Sequence, residues 1–472
     1  MKKLTIQEIA NATHARILAA NLEEAQQKTI CHVTQDSRQA GEESLFVPLK
    51  GKNSDGHDYL KSCMEKGVAA CFTEREMTPE NGCVLLLVEN ARAAMLQLAK
   101  YYRSLFDIPV VGITGSVGKT TTKDMIASVL SQKYNTLWTL GNFNNDLGVP
   151  LTLFRLEEGH EAAVIEMGMN HFGEIHRLVD AVRPHIGVIS NVGVAHIEHL
   201  GSREGILKAK CELFDFMDEK DVAVLNGDND MLATLDGKLS QKVRWFGVEN
   251  KRDVYADNIE AVGLEHTRCT IHTPEGSMDV VIPMPGAHMV LNALSAVTVG
   301  LEMGFTLDEI KGGIENFVPT KDRMTIMRLE NGLTLLNDVY NSNPVSAKAS
   351  LDILKDVEGR SVAFLGFMGE LGEFAPQMHR EVGAYVAEKG IDLLICIGNH
   401  SDQMAAGAKD AGMLEVYRFD TGRILGKRFG FAEKRRYNFV EGIPQHGIRK
   451  NSRDIARSEI KWVLWNRRFT PY

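Results

Sequence analysis

Cysteine is scarce in this chain and carries no pattern. Cys31, Cys63, Cys71, Cys83, Cys211, Cys269 and Cys396 are scattered, odd in number, and form no C-x-x-C pair. That sets aside a disulfide scaffold or a zinc ribbon; each thiol reads as a small core residue in a reducing compartment. Long apolar runs are also missing. No stretch reaches the length of about 20 residues that a membrane-spanning helix needs. The start, Met1-Lys2-Lys3-Leu4-Thr5-Ile6-Gln7-Glu8, lacks the apolar core of a signal peptide. A cytoplasmic protein with no membrane span is therefore expected. There is no low-complexity segment and no short-period repeat. What remains is ordinary: 44% apolar and 24% charged residues in 472, enough for about three globular domains.

Charge is unevenly spread. The net charge is −9, yet residues 422–472 hold 13 Lys and Arg against 4 Asp and Glu. Two of the four tryptophans, Trp462 and Trp465, lie in the same tail.

The most informative stretch is Val110-Val111-Gly112-Ile113-Thr114-Gly115-Ser116-Val117-Gly118-Lys119-Thr120-Thr121-Thr122. An apolar β-branched run reads as a buried strand. Glycines at a spacing of three follow, then Lys-Thr-Thr, then an amphipathic segment from Lys123 to Leu130. Strand, tight turn and helix point backbone N–H groups and a helix N-terminus at one spot, which suits a phosphate. Lys119 adds a point charge for the outer phosphates, and the Thr120 hydroxyl can hold Mg²⁺. The spacing departs from the general P-loop, which wants a glycine where Ile113 stands; the glycine is one residue earlier, at Gly112. The dinucleotide pattern G-x-G-x-x-G fails as well.

Residues 1–106 read as a small α/β unit, with strands at Ser44–Leu49 and Val84–Val88 and a helix from Ala91 to Phe106. Asp36-Ser37-Arg38 and Asp55-Gly56-His57 fit plain turn chemistry. Over residues 107–318 strands and helices alternate, which predicts a parallel sheet with helices on its faces. The strands are Ala162–Met167, Ile186–Val192 and Val222–Asn226, with a β-rich stretch from Asp253 to Pro285 and a helix from Gly286 to Met303. In such sheets ligands sit beyond the carboxyl ends of the strands, so the loop, Glu166 and His196 can face one crevice. Residues 319–421 form a third α/β unit, with strands at Thr334–Asp338, Ser361–Gly366 and Ile391–Gly398.

Glu166, at an apolar strand end, is a candidate oxygen ligand for Mg²⁺. His196 is less obvious, since imidazole is not a favoured Mg²⁺ ligand. A lone histidine is usually a core or surface group, and His196-Ile197-Glu198-His199 also fits a transition-metal site.

Taken together, these residues resemble the Mur ligases, the ATP-dependent amide-bond enzymes of peptidoglycan precursor synthesis. Gly112-Ile113-Thr114-Gly115-x-x-Gly118-Lys119-Thr120-Thr121 is similar to that family's phosphate loop. Glu166-Met167-Gly168-Met169-Asn170-His171-Phe172-Gly173-Glu174-Ile175 resembles the signature of the MurF type, which adds D-alanyl-D-alanine; the MurD and MurE types carry a Ser-Ser-containing stretch there. Similar too are Gly141–Pro150, Asn191–Glu198, Lys208-Ala209-Lys210, Asn337–Pro344 and His379–Gly383. Phe367 stands where the family usually has Asp, and Met289 where Asn is common.

The resemblance implies an α/β protein of three domains: a small N-terminal UDP-binding domain, a central P-loop ATPase domain with a mainly parallel sheet, and a C-terminal Rossmann-like domain. It implies ATP and Mg²⁺. The loop Gly115, Ser116, Val117, Gly118, Lys119, Thr120 and Thr121 would hold the phosphates, with Thr120 on Mg²⁺. Glu166 and His196 would bind a second Mg²⁺, supported by a carbamylated lysine at Lys210. Asn292 and Arg323 would contact the nucleotide and Asp338 its ribose. Ser37, Asp55, Gly56 and His57 would hold the UDP of UDP-N-acetylmuramoyl-tripeptide; Asn142, Asn144 and Asn145 would face its peptide. The second substrate would be D-alanyl-D-alanine. A monomer with no nucleic-acid partner is expected. The alternatives are a MurE-type or folylpolyglutamate synthase-like ligase, or a P-loop NTPase without ligase activity.

The resemblance stops near Thr421. There the family continues with a helix, a strand, a Lys-Gly-Ser-Arg turn and a last amphipathic helix. Back-translating residues 422–457 and moving the frame by one base permits those elements in that order. The tail therefore reads as a shifted frame, which would cost the third domain its last strand and helix and impair activity. The competing reading is a basic extension for an anionic surface or nucleic acid.

Overall fold

The computed structural model describes residues 1–51, 54–320, 324–328, 334–338, 342–357, 359–419 and 460–466. Three large sheets follow one another along the chain, with a small two-stranded sheet, Leu4–Thr5 against Thr29–Ile30, near its start. The first has five strands in the order Arg16–Leu18, Val84–Leu87, Ala70–Thr73, Ser44–Phe46, His32–Thr34. All its pairs are parallel except the first. Helix Ala91–Ser104 leads out of it, capped at its start by Asn90, whose side chain accepts the Ala93 N–H at 2.8 Å. Near the end of that helix Tyr102 and Arg103 are buried. The Tyr102 hydroxyl donates to the Leu156 carbonyl at 2.7 Å. The Arg103 guanidinium donates to the carbonyls of Phe106, Ile108 and Val182. One side chain thus satisfies the backbone of the crossing into the next sheet, where helix bonds have run out.

The central sheet has nine strands. From one edge they run Gly276–Ile282, His266–Thr273, Val254–Val262, Lys242–Gly247, Val222–Asn226, Ile186–Ile189, Val110–Thr114, Ala162–Glu166 and Thr136–Trp138. The seven from Val254–Val262 to Thr136–Trp138 are parallel; the last two join by antiparallel hairpins. Val110–Thr114 and Ala162–Glu166 are buried at every residue, as strands covered on both faces must be. Helix Lys119–Leu130 packs on the sheet over Ala162–Glu166 and Thr136–Trp138, and against helices His288–Glu302 and Leu307–Glu315, which cover other strands of the same sheet.

The third sheet orders its strands Thr325–Arg328, Thr334–Asn337, Ile460–Asn466, Arg360–Leu365, Leu393–Ile397 and Val416–Phe419. All but the first pair are parallel. This corrects one expectation. On the shifted-frame reading the sheet lacks its last strand, but Ile460–Asn466 pairs on both sides, with Thr334–Asn337 and Arg360–Leu365. The rest of residues 420–472 lies outside the described residues. No helix among the described residues is long and apolar enough to cross a membrane.

Candidate active site

The phosphate loop follows strand Val110–Thr114, as its sequence requires. Gly118 precedes the first turn of helix Lys119–Leu130 at φ +77°, a conformation that favours glycine. The displaced Gly112 has a packing cause: a Cβ there would stand 2.8 Å from Met167 Cε and 3.0 Å from Pro184 Cβ. At Gly115 a Cβ would meet Ser190 Oγ at 2.0 Å.

Two residues that sequence reasoning did not single out brace this loop. The Asn191 side-chain oxygen accepts the N–H groups of Ser116 and Val117 at 3.2 and 2.9 Å, and its amide donates to the Val117 carbonyl at 2.8 Å. Ser190 Oγ donates to that carbonyl at 3.0 Å. The Lys119 ammonium donates to the Gly115 carbonyl at 2.9 Å, folded over its own loop.

A cleft of about 310 Å³ opens in front of the loop. It brings together Ser116, Val117, Gly118, Lys119, Thr120, Asn142, Asn144, Asn145, Glu166 and His196 from the sequence-predicted set. Gly115 and Thr121 flank it within the same loop. Asn292 sits behind it, accepting from Thr122 Oγ1 at 3.0 Å. The far wall comes from the third unit: Asn343, Ser346 and Glu370. Sequence reasoning missed these three, because a contact between separate units leaves no local pattern. Asn343 did carry one signal, an Asn-Pro helix start; its side chain caps helix Pro344–Leu354.

Three buried side-chain polar atoms lack a hydrogen-bond partner among the described residues: Thr114 Oγ1, Glu166 Oε2 and His196 Nδ1. All three belong to strand ends or the loops just beyond them. His196 Nδ1 does approach Glu370 Oε2 at 2.5 Å; the distance is that of an ion pair, but the angles are not those of a hydrogen bond. The backbone of His196 is also left-handed, at φ 66°. Orphaned oxygens are expensive in a protein interior unless a ligand completes them, and a carboxylate and a hydroxyl are the donors a hard cation takes. The residues therefore fit Mg²⁺, with phosphate oxygens and water filling the remaining positions. The transition-metal alternative loses its second histidine: His199 is exposed and stacks on His171 with ring centroids 4.6 Å apart.

Glu166 Oε1 accepts from Asn144 Nδ2 at 2.7 Å, so Asn144 orients the carboxylate. The Asn145 side-chain oxygen accepts the N–H groups of Leu147 and Gly148 at 3.2 and 2.9 Å, at the start of the next helix. Lys210 is 1% exposed, on the helix Arg203–Cys211. Burial pushes its ammonium well below the ordinary lysine range, and the nearby Lys119 charge adds to this. Both causes favour a neutral amine.

The other predicted residues lie elsewhere. The His57 ring is 8% exposed with both nitrogens engaged: Nδ1 lies 2.8 Å from Asp55 Oδ1 and Nε2 accepts the Glu74 N–H at 3.3 Å. Arg75 takes the other Asp55 oxygen. Gly56 is fixed by close approach, since a Cβ would stand 2.5 Å from the Leu49 nitrogen. These side chains build their own turn, and they and Ser37 stand outside the cleft lining. Asp338 follows strand Thr334–Asn337 and accepts from Ser350 Oγ at 3.0 Å. Arg323 lies outside the described residues.

Three family models match the chain in order: the Mur ligase family catalytic domain at 29–103, the Mur ligase middle domain at 113–300 and the Mur ligase glutamate ligase domain at 322–426. The UDP-N-acetylmuramoyl-tripeptide--D-alanyl-D-alanine ligase of Escherichia coli is 35% identical over 466 residues, covering 98% of this chain and 99% of its own. The crystal structure of MurF from Acinetobacter baumannii superposes with a TM-score of 0.87 at 30% identity, covering 99% of this chain and 96% of that one. MurF from Thermotoga maritima, solved in complex with ADP, shares the fold with a TM-score of 0.77 at 24% identity, over 92% of this chain and 93% of that one. From its phosphate loop to its three-sheet plan, the chain belongs to the Mur ligase family, in the MurF branch.

Proposed function

We propose that this protein joins D-alanyl-D-alanine to UDP-N-acetylmuramoyl-tripeptide at the expense of ATP, in peptidoglycan precursor synthesis. The observation that carries the reading is the single cleft in which a phosphate loop faces an under-satisfied strand-end carboxylate and a wall from the third unit. It stands in a chain 35% identical to a ligase of that name over nearly the whole of both.

A carboxylate does not react with an amine unaided. Transfer of the γ-phosphoryl group to the tripeptide's terminal carboxylate makes an acyl phosphate; the dipeptide amine then attacks and phosphate leaves. The loop amides, Ser116 to Thr121, hold the phosphates, and Lys119 swings from the Gly115 carbonyl to the transferring group as charge develops. Thr120 would hold one Mg²⁺ and Glu166 with His196 a second, and when bound they would screen that charge. Lys210 is carbamylated: its buried, neutral amine adds CO₂ and gives up one proton, leaving an anionic carbamate. Asn292, Arg323 and Asp338 hold the nucleoside. Asn142 and Asn145 face the peptide, and the turn from Asp55 to His57, with Ser37, holds the UDP end through its backbone. An acyl phosphate hydrolyses in open water, so the Asn343–Glu370 wall closes over the site. The protein acts as a cytoplasmic monomer.

The test is ADP formation with purified protein, ATP, Mg²⁺ and the UDP-linked tripeptide, with and without D-alanyl-D-alanine. Dependence on the dipeptide supports the ligase. Equal turnover without it indicates an NTPase, and dependence on a different amino acid indicates another ligase of the family.

A further inference from the structure

Behind the phosphate loop lies an ion pair that the mechanism above does not use. Lys123 is on the same helix as Lys119, and its side chain is fully buried. Its ammonium contacts Asp124 Oδ1 at 2.7 Å and donates to the Thr139 carbonyl at 2.6 Å. The second Asp124 oxygen accepts from Thr320 Oγ1 at 2.5 Å. Thr139 is itself fully buried, and its hydroxyl oxygen accepts the Glu166 N–H at 3.0 Å. Its own N–H goes to the Val164 carbonyl on the strand that ends in Glu166.

Four parts of the molecule are therefore linked through the Lys123–Asp124 pair and Thr139. They are the phosphate-loop helix, the strand end carrying Glu166, the root of the Gly141–Pro150 loop, and Thr320, where the chain leaves the central domain. Burying an ion pair is a poor way to gain stability, because desolvation offsets the attraction and an apolar pair of similar volume does as well or better. What it supplies is geometry. Thr139 is the first residue past the edge strand Thr136–Trp138. With its carbonyl held by Lys123, its hydroxyl stays aimed at the amide of Glu166. That fixes the backbone of a carboxylate whose Oε1 is held by Asn144 and whose Oε2 has no hydrogen-bond partner among the described residues.

We propose that Lys123 and Asp124 are positioning residues for ligation: acting through Thr139, the pair sets the Glu166 carboxylate at the metal position. The inference rests on the reading of Glu166 as a metal ligand. Groups that orient a metal ligand typically cost about 10–100-fold in metal affinity when removed.

The experiment uses the full chain with Mn²⁺ as probe and ADP present, reading bound metal by electron paramagnetic resonance. Lys123→Met, Asp124→Asn and Thr139→Val are each expected to weaken Mn²⁺ binding by about tenfold. Thr139→Ser, which keeps the hydroxyl, is expected to stay within about twofold of the parent. Lys123→Met and Thr139→Val combined should be no weaker than either alone, since both cut one path. Amide exchange at Glu166 in the metal-free protein should quicken in the same variants, while that at Ile189, at a strand end two strands away, stays unchanged. If Lys123→Met does not fold, the Thr139→Val and Thr139→Ser contrast decides. Parental Mn²⁺ affinity in Thr139→Val, with only the melting temperature lowered, overturns the proposal. Parental affinity in Glu166→Gln overturns the metal reading of Glu166 and this inference with it.

Discussion

Gly112 and Gly115 are glycines for two different reasons, and each makes a prediction. At Gly112 a methyl would press on Met167 and Pro184, both part of the packed sheet face. Gly112→Ala should cost about 1–3 kcal/mol of stability, the usual range for overpacking, with nucleotide binding nearly unchanged; denaturant melts and ADP titration check this. At Gly115 the methyl would displace the Ser190 hydroxyl that holds the Val117 carbonyl. Gly115→Ala should weaken ADP binding more than it lowers the melting temperature. Lys210 sets a further test. A lysine whose folded pKa is lowered is neutral in the fold at a pH where the unfolded chain is still protonated. The uncarbamylated protein should therefore gain stability as pH rises toward the unfolded lysine value near 10.4. Bicarbonate should flatten that dependence and raise ligase activity, and Lys210→Met should abolish both effects. The residue scale is also where sequence reading was least complete. Asp55-Gly56-His57 reads in sequence as plain turn chemistry, only the resemblance gives it to the UDP, and the side-chain polar atoms are engaged with one another and with Glu74 and Arg75. Glu370 has no motif around it that signals a partner. Its closeness to His196 exists only once two units meet.

Elements were far easier to read. The strands Val110–Thr114, Ala162–Glu166, Ile186–Ile189 and Val222–Asn226 are continuous apolar runs because parallel strands are covered on both faces. Their positions follow from composition within one residue, except that the expected Ile186–Val192 ends three residues early, at Ile189. The placement of Ile460–Asn466 between two strands more than ninety residues earlier in the chain is a non-local choice that no local run specifies. Helix Ala375–Glu388 carries a testable device. His379 is fully buried; Nε2 accepts the Met368 N–H at 3.0 Å and Nδ1 lies 2.6 Å from the Ala375 carbonyl. The ring is thus held neutral, and burial lowers its pKa from the ordinary histidine value. A depressed folded pKa means that stability present above the unfolded value, near 6.5, is lost as pH falls below it. As pH falls below about 6.5 the protein should lose stability from this group, by at most about 1.4 kcal/mol per pH unit. His379→Gln should remove that slope, as chemical denaturation across pH would report.

At the scale of the whole molecule, the ligase reading needs all three sheets. On that reading the first would offer its turns to the UDP end and the second would hold the phosphates, while the third supplies Asn343, Ser346 and Glu370 to the cleft wall. The family's last helix and Lys-Gly-Ser-Arg turn are not legible in residues 422–472, whose basic composition fits a shifted frame. Resequencing the native locus tests that directly. A chain with the frame restored should release phosphate faster than this one under equal conditions; equal rates would mean the present tail serves as well. The most direct measurement is the fate of oxygen. With ¹⁸O in the terminal carboxylate of the UDP-linked tripeptide, ligation through an acyl phosphate moves one labelled oxygen into inorganic phosphate for each amide bond formed, and only when D-alanyl-D-alanine is present. Labelled phosphate that tracks the dipeptide is the predicted result. Unlabelled phosphate, released at the same rate without the dipeptide, would contradict it.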